Sequence, residues 1–224
     1  MKHLIVGGTK GIGKSIAEHL PYDDEKIIFA RNESNEIPSN ATFYALDVLS
    51  DELPELENLD SVIYCPGSIN LKPIGSLKED DFLNDFNINV IGAVKVIKKY
   101  HRDLKRNNGS IVLFSTVASK IGMPFHASVA AAKSAVEGLT KSLAAEFAPS
   151  INVNCIAPTV TDTNLAAHLL RNEKSREATA ERHPMKTFLQ PNEVAALAKL
   201  LVSKEGKNIT GQIIGIDAGI GSLK

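Results

Sequence analysis

The chain has 224 residues, a net charge of -1 and an apolar content of 43%, enough to bury roughly 70% of the unfolded surface in one large α/β domain or two small ones. A balanced charge with pI near 6.6 argues against the basic face that nucleic-acid binding requires, and no stretch reaches the ~20 apolar residues of a membrane span. Cys65 and Cys155 lie far apart without partners at metal-ligand spacing, and the six histidines form no His-x-x-x-His pair; two reduced thiols and no metal are expected.

Only Met1, Lys2 and His3 come before the first apolar residues, Leu4 to Val6, which with His3 are predicted as a strand over 3–6; no signal peptide is expected and a cytoplasmic protein is. That run leads through Gly7, Gly8, Thr9, Lys10, Gly11, Ile12 and Gly13 into an amphipathic helix over 12–20. Glycines at such a turn let the backbone approach a pyrophosphate, whose charge the free amides of the helix start favour. The spacing Gly-x-x-x-Gly-x-Gly is one residue longer than the common dinucleotide fingerprint, yet it sits at the first strand-to-helix turn, as that role demands. A second strand, 26–30, ends at Arg31. An acidic residue there would bind a ribose diol and repel a 2'-phosphate. Arg31 and Lys10 instead form a cationic pair suited to the dianion, and NADP(H) is expected over NAD(H).

Further along, strands are predicted at 42–46 and 61–64, with a short helix near 51–56 between them. A long helix over 79–106 ends at Asn108-Gly109, and a strand follows at 110–115. Then come a helix over 127–147, a strand at 152–156, a helix over 191–203 opened by Pro191, and a last strand at 212–216. Seven strands alternating with helices predict one Rossmann-type domain over 1–224, a doubly wound parallel sheet with helices on both faces. The polar, charged stretch 164–187, inserted between the last two strand units, reads as a lid over a substrate cleft, because parallel sheets bind ligands at their strand ends.

These motifs resemble, in order and over the whole chain, those of the short-chain dehydrogenase/reductase family. Gly7, Gly11, Ile12 and Gly13 match its glycine motif, Asp47-Val48 follows the third strand, and Cys65-Pro66-Gly67 replaces Asn-Ala-Gly after the fourth. Asn89 lies in the long helix; Ser115-Thr116, Lys133, the stretch 154–158, Thr163 and the terminal ITGQIIGIDAG complete the series. The resemblance implies that Asp47 holds the adenine amino group and Val48 flanks the ring. It places Pro158 and Thr163 toward the nicotinamide and counts Thr161 among the cofactor-binding residues, and it implies a homodimer or homotetramer formed through the two long helices.

Family members that reduce carbonyls carry a tyrosine acid four residues before a lysine, so that the two share a helix face and the ammonium lowers the phenol pKa. By that resemblance the asparagine is Asn89, the substrate-binding hydroxyl is Thr116, the lysine is Lys133, and the tyrosine position is Val129. Ser115 is the alternative hydroxyl, but strand neighbours face opposite ways, which favours Thr116. Lys133 keeps a second family task, binding the nicotinamide ribose. His126, seven residues before Lys133 and about 10 Å away along a helix, stands where enoyl reductases of the family place their tyrosine; imidazole can serve as the acid. Tyr64 is expected near the cleft, and Tyr100 on the outer part of the long helix at a subunit interface. The expected function is hydride transfer between NADP(H) and a small carbonyl, alcohol or enone; the alternative is an inactive NADPH-binding sensor or regulatory subunit.

Overall fold

The computed structural model describes residues 1–32 and 37–223. Seven parallel strands form one sheet in the order β3-β2-β1-β4-β5-β6-β7: β1 (Lys2–Val6), β2 (Glu25–Ala30), β3 (Ala41–Ala45), β4 (Ser61–Tyr64), β5 (Ser110–Phe114), β6 (Asn152–Pro158) and β7 (Ile213–Ile216). Runs such as Ser61–Tyr64 and Ser110–Phe114 are buried at every residue, as expected for central strands covered on both faces. Alternate side chains feed two apolar layers. Leu4, Val62, Ile111 and Val153 face one layer with α3 (Gly92–Arg106) and α4 (Ala127–Phe147). Ile5, Ile63, Val112 and Ile156 face the other with α1 (Gly11–His19) and α6 (Pro191–Val202).

Strand order reverses between β1 and β4, and such a switch point opens a crevice beyond the carboxyl ends of the strands. The glycine turn leaves β1 there, and the Cys65-Pro66-Gly67 turn leaves β4. Gly7 (φ +77°) and Gly11 (φ +50°) adopt backbone conformations that disfavour side chains. A Cβ on Gly13 would lie 2.3 Å from the Gly7 carbonyl oxygen, so α1 can start this close to β1 only with glycine.

The predicted long helix is present but not uniform. It runs as α2 (Glu79–Phe86), a π-helical turn (Asn87–Ile91) and then α3. The Gly92 amide donates to the Asn87 carbonyl rather than to that of Ile88, and the Tyr64 hydroxyl donates to the released Ile88 carbonyl at 2.7 Å. Gly92 makes the approach feasible, because a Cβ there would stand 2.1 Å from the Tyr64 hydroxyl. Tyr64→Phe is therefore expected to cost about 1–2 kcal/mol, the penalty for leaving a buried acceptor unpaired, read as a lowered denaturant midpoint with unchanged m-value.

Two expectations fail. No helix forms near 51–56; a turn over 48–50 is followed by irregular chain. Asp47 captures this segment, accepting from the Leu49 amide at 2.9 Å, while Asp51 accepts from the Asp47 amide at 2.8 Å. Pro54 removes a donor and turns Leu53 away from helical geometry. Tyr100 does not lie outward. It is 2% exposed in the core, packs against Phe29 and donates to the Pro54 carbonyl at 2.7 Å, so its hydroxyl anchors the irregular segment to α3.

The stretch 164–187 holds a 3-10 turn (Asn164–Ala166) and α5 (Glu173–Glu181). Two ties bind it to the end of β6: Arg176 pairs with Asp162 at 2.5 Å and stacks over Phe188, and His183 shares a hydrogen bond with the Thr159 hydroxyl at 2.7 Å.

Candidate active site

The crevice has two connected parts that meet at Gly67. The first is lined by Gly7, Thr9, Lys10, Arg31, Asp47 and Val48. The two predicted cations and Asp47-Val48 thus come together on one wall, with Pro66 and Gly67 at its inner end. The second, of about 180 Å³, is mostly apolar and reaches from Cys65 and Gly67 to Ile12, Pro158, Thr161 and Thr163. Thr116, His126, Val129 and Lys133 lie on its walls as well. Most residues assigned from the sequence to one cofactor and one reaction therefore line these two adjoining pockets; the exceptions are Gly11 and Gly13, which shape the turn at the start of α1, and Asn89, which stands behind Ser68.

Thr116 follows β5 in extended conformation (φ -155°, ψ 152°) and caps the 3-10 turn Val117–Ser119, its Oγ1 accepting from the Ala118 amide at 3.3 Å. That bond uses a lone pair and leaves the hydroxyl proton for a ligand oxygen. Ser115 takes a different role: its hydroxyl donates to Glu137 Oε1 at 2.6 Å, and Ser119 donates to the same oxygen. Glu137 thereby pins the end of β5 to α4, a function the sequence reading missed.

Lys133 is 8% exposed, and its Nζ donates to the Phe114 carbonyl at 2.8 Å. Burial outweighs every other influence and lowers its pKa to about 8; Cys155, Cys65 and Asp85 oppose the shift. Burial pushes both thiols up to about 12, which leaves Cys65 on the wall and Cys155 in the core inert at neutral pH. Val129, one helical turn before Lys133, is 5% exposed on the cavity wall. His126 occupies the N-cap position of α4, and its Nδ1 is 2.7 Å from the Pro124 carbonyl. With Nδ1 donating to that carbonyl, Nε2 is the nitrogen left for the cavity. Tyr64 is close in sequence to the cleft but spends its hydroxyl on the π-turn, and burial raises its pKa well above the usual phenol value.

Asn89 sits on the π-turn, 2% exposed. Its Nδ2 donates to the Asp85 carbonyl at 2.7 Å and to Ser68 Oγ at 3.1 Å, and the Ser68 hydroxyl donates to Asp85 Oδ1 at 2.6 Å. Ser68 and Asp85 were not identified from sequence. The legible signal was spacing: Asp85 and Asn89 are four residues apart, hence on one helix face.

The cleft suits a dinucleotide on structural grounds alone. A Cβ on Gly67 would lie 3.2 Å from Lys133 Nζ and 3.3 Å from Asn89 Oδ1, so glycine keeps the passage between the two halves open. The positive-φ glycines give backbone access at one end, and cations stand where the strand β2 ends.

The family model for enoyl-(acyl carrier protein) reductase matches residues 6–221. A 3-oxoacyl-(acyl-carrier-protein) reductase from Thermotoga maritima is 31% identical over 97% of this chain and 96% of its own. The corresponding reductase MabA of Mycobacterium tuberculosis is 27% identical over 97% of this chain and 92% of its own. Among solved structures, ElxO with NADP bound superposes with a TM-score of 0.86 at 28% identity, covering 98% of both chains. A family match over nearly the full length agrees with the sheet order and the glycine crevice. The chain belongs to the short-chain dehydrogenase/reductase family of oxidoreductases.

Proposed function

We propose that this protein is an NADP(H)-dependent oxidoreductase acting on a small carbonyl, alcohol or enone, with Val129 at the position of the family's catalytic tyrosine. The carrying observation is the pair of pockets adjoining at Gly67, one bearing Arg31 and Lys10 and the other Thr116 and Lys133. Bound NADPH would supply the hydride. Arg31 and Lys10 would take its 2'-phosphate, and the glycine turn its pyrophosphate. Lys133 spends one of its three donors on Phe114, which leaves two for ribose hydroxyls. Thr116 would donate its hydroxyl proton to the substrate oxygen and polarise the carbonyl, and the apolar walls exclude water around it. Two groups on the wall can give a proton, His126 through Nε2 and Lys133 as an ammonium. The segment 164–187 would serve as the lid, with the Asp162–Arg176 pair as its latch. Assembly into a dimer or tetramer through α3 and α4, in the cytoplasm, completes the reading.

Incubation of the pure protein with NADPH and a panel of ketones, aldehydes and enones tests it, followed at the nicotinamide absorbance. Turnover that is lost in Lys133→Met supports the oxidoreductase. The lack of a phenol at 129 favours one rival, a cofactor-binding regulator, and micromolar NADPH binding with no turnover on any member of the panel would establish that rival.

A further inference from the structure

The mostly apolar pocket of about 180 Å³ is bordered by six hydroxyl side chains, and the bonds each already makes fix what it can offer a ligand. Ser68 donates its proton to Asp85 Oδ1 at 2.6 Å, and Ser115 donates to Glu137 Oε1 at 2.6 Å. Thr161 donates to the Thr159 carbonyl at 3.1 Å, and Thr163 to the Thr161 carbonyl at 3.3 Å. Thr159 Oγ1 lies 2.7 Å from His183 Nε2. Nδ1 of that ring is 2.7 Å from the Thr179 carbonyl, which can only accept, so a neutral His183 carries its proton on Nδ1 and takes the Thr159 proton at Nε2. Five of the six hydroxyl protons therefore serve the protein. Of the six, only Thr116, whose oxygen accepts from the Ala118 amide, keeps its proton for a ligand. Among the described residues that line the pocket, none is Asp, Glu, Asn, Gln or Arg. His126 has Nδ1 on the Pro124 carbonyl and offers Nε2 alone. Away from the residues assigned to the cofactor, the wall is Ile69, Leu71, Met123, Val129, Leu165 and Leu169. Leu165, on the segment 164–187, borders the cavity yet is 51% exposed, and an apolar ligand would cover that surface favourably.

We propose that the substrate is apolar apart from a single carbonyl: a ketone or enone on a compact alicyclic or branched hydrocarbon body, and not a sugar, a hydroxy acid or a phosphorylated compound. The proposal rests on the reductase reading above and narrows it. The one carbonyl oxygen takes the free proton of Thr116 in a hydrogen bond. A further hydroxyl on the substrate would leave water for a wall with no carboxylate or amide to accept from it, and the oxygens of Thr161 and Thr163 belong to the cofactor end. A carboxylate or phosphate would fare worse. It would lose its hydration for a cavity whose one ammonium, Lys133, is engaged by the Phe114 carbonyl and reserved for ribose hydroxyls. A methyl group at the same place gains contact with the apolar wall instead.

Cyclohexanones that differ at one position test it: 4-methylcyclohexanone, 4-hydroxycyclohexanone and 4-oxocyclohexanecarboxylate. Each is measured on the full chain in two ways, as kcat/KM with NADPH at the nicotinamide absorbance and as Kd by calorimetry with and without NADP+. The methyl compound is expected to exceed the hydroxy compound by about 10- to 100-fold, the range that an unpaired buried hydroxyl produces, and the carboxylate by at least as much. Equal values, or a preference for the hydroxy or carboxylate compound, overturn the proposal. Failure of the methyl compound to bind at millimolar concentration overturns it too. Leu169→Gln and Met123→Gln each put an amide on the wall and are expected to narrow the methyl-to-hydroxy ratio by about 3- to 10-fold, the worth of one hydrogen bond. Leu200→Gln, at a position 42% exposed on α6, leaves the ratio as it is in the parent. An unchanged ratio in either folded wall variant overturns the assignment of the preference to this cavity. Selective binding of the methyl compound without turnover defeats the reductase reading alone, while the ligand class stands; turnover with the reverse preference defeats the ligand class alone.

Discussion

Val129→Tyr is expected to raise NADPH-driven carbonyl reduction by about 10²- to 10⁴-fold, the usual contribution of a positioned general acid. Val129 lies on the cavity wall one helical turn before Lys133, so a phenol there shares a face with the ammonium, which stabilises the phenolate and makes the phenol a better acid at neutral pH. The hydroxyl donor of Thr116 borders the same space. The ring must enter a cavity of about 180 Å³, and overfilling would cost about 1–3 kcal/mol; a thermal melt beside the kinetic assay separates a poor fit from a poor catalyst. A gain in kcat at unchanged melting temperature shows that the remaining groups are set for hydride transfer. A folded variant that binds NADPH and gains nothing shows that they are not.

How far these residues could be read in advance depends on the kind of physics that places them. The glycine turn, Arg31, Thr116, Lys133 and Asn89 carry local signals, a φ requirement, a strand end or a helical interval, and the structure brings all of them to one crevice or its immediate wall. The seven strands are visible as apolar runs because both faces of a parallel sheet are covered. What stayed hidden depends on contacts between distant segments. The π-turn exists because Tyr64 on β4 claims the Ile88 carbonyl across a gap that only Gly92 leaves open. A helical period over 79–106 cannot reveal that, since one residue of extra winding scarcely alters the pattern. Tyr100 reads as an outward phenol until the Pro54 carbonyl, 46 positions earlier, supplies its acceptor. The predicted helix near 51–56 gave way to a turn that Asp47 builds just ahead of it, its side chain accepting the Leu49 amide, and to Pro54 inside it. Ser68 and Asp85 were passed over because a serine after a turn and an aspartate among Glu79, Asp80 and Asp81 look like ordinary solvated groups. Only burial distinguishes Asp85 from its neighbours.

Arg31→Asp is expected to weaken NADPH binding by about 10- to 100-fold and to bring NADH affinity up to or above it. The estimate starts low because Arg31 is exposed, and an exposed ion pair is worth at most about 1 kcal/mol, or roughly fivefold. Two considerations raise it. A guanidinium meets a phosphate through paired, charge-assisted hydrogen bonds, and the substitution adds repulsion as well as removing attraction. Lys10 lies on the same wall of the cleft but holds the phosphate as a point charge, so Lys10→Ala should cost less than Arg31→Asp, about 3- to 10-fold, and should leave NADH unaffected. Fluorescence titration of both dinucleotides with both variants gives the ratio that matters. Because the contact is exposed, the NADPH preference of the parent should also shrink between low and high salt, whereas binding to the glycine turn, which both cofactors share, changes equally for the two and cancels. Equal NADPH affinity in the parent and in Arg31→Asp would remove the phosphate from this end of the cleft and with it the NADP(H) assignment.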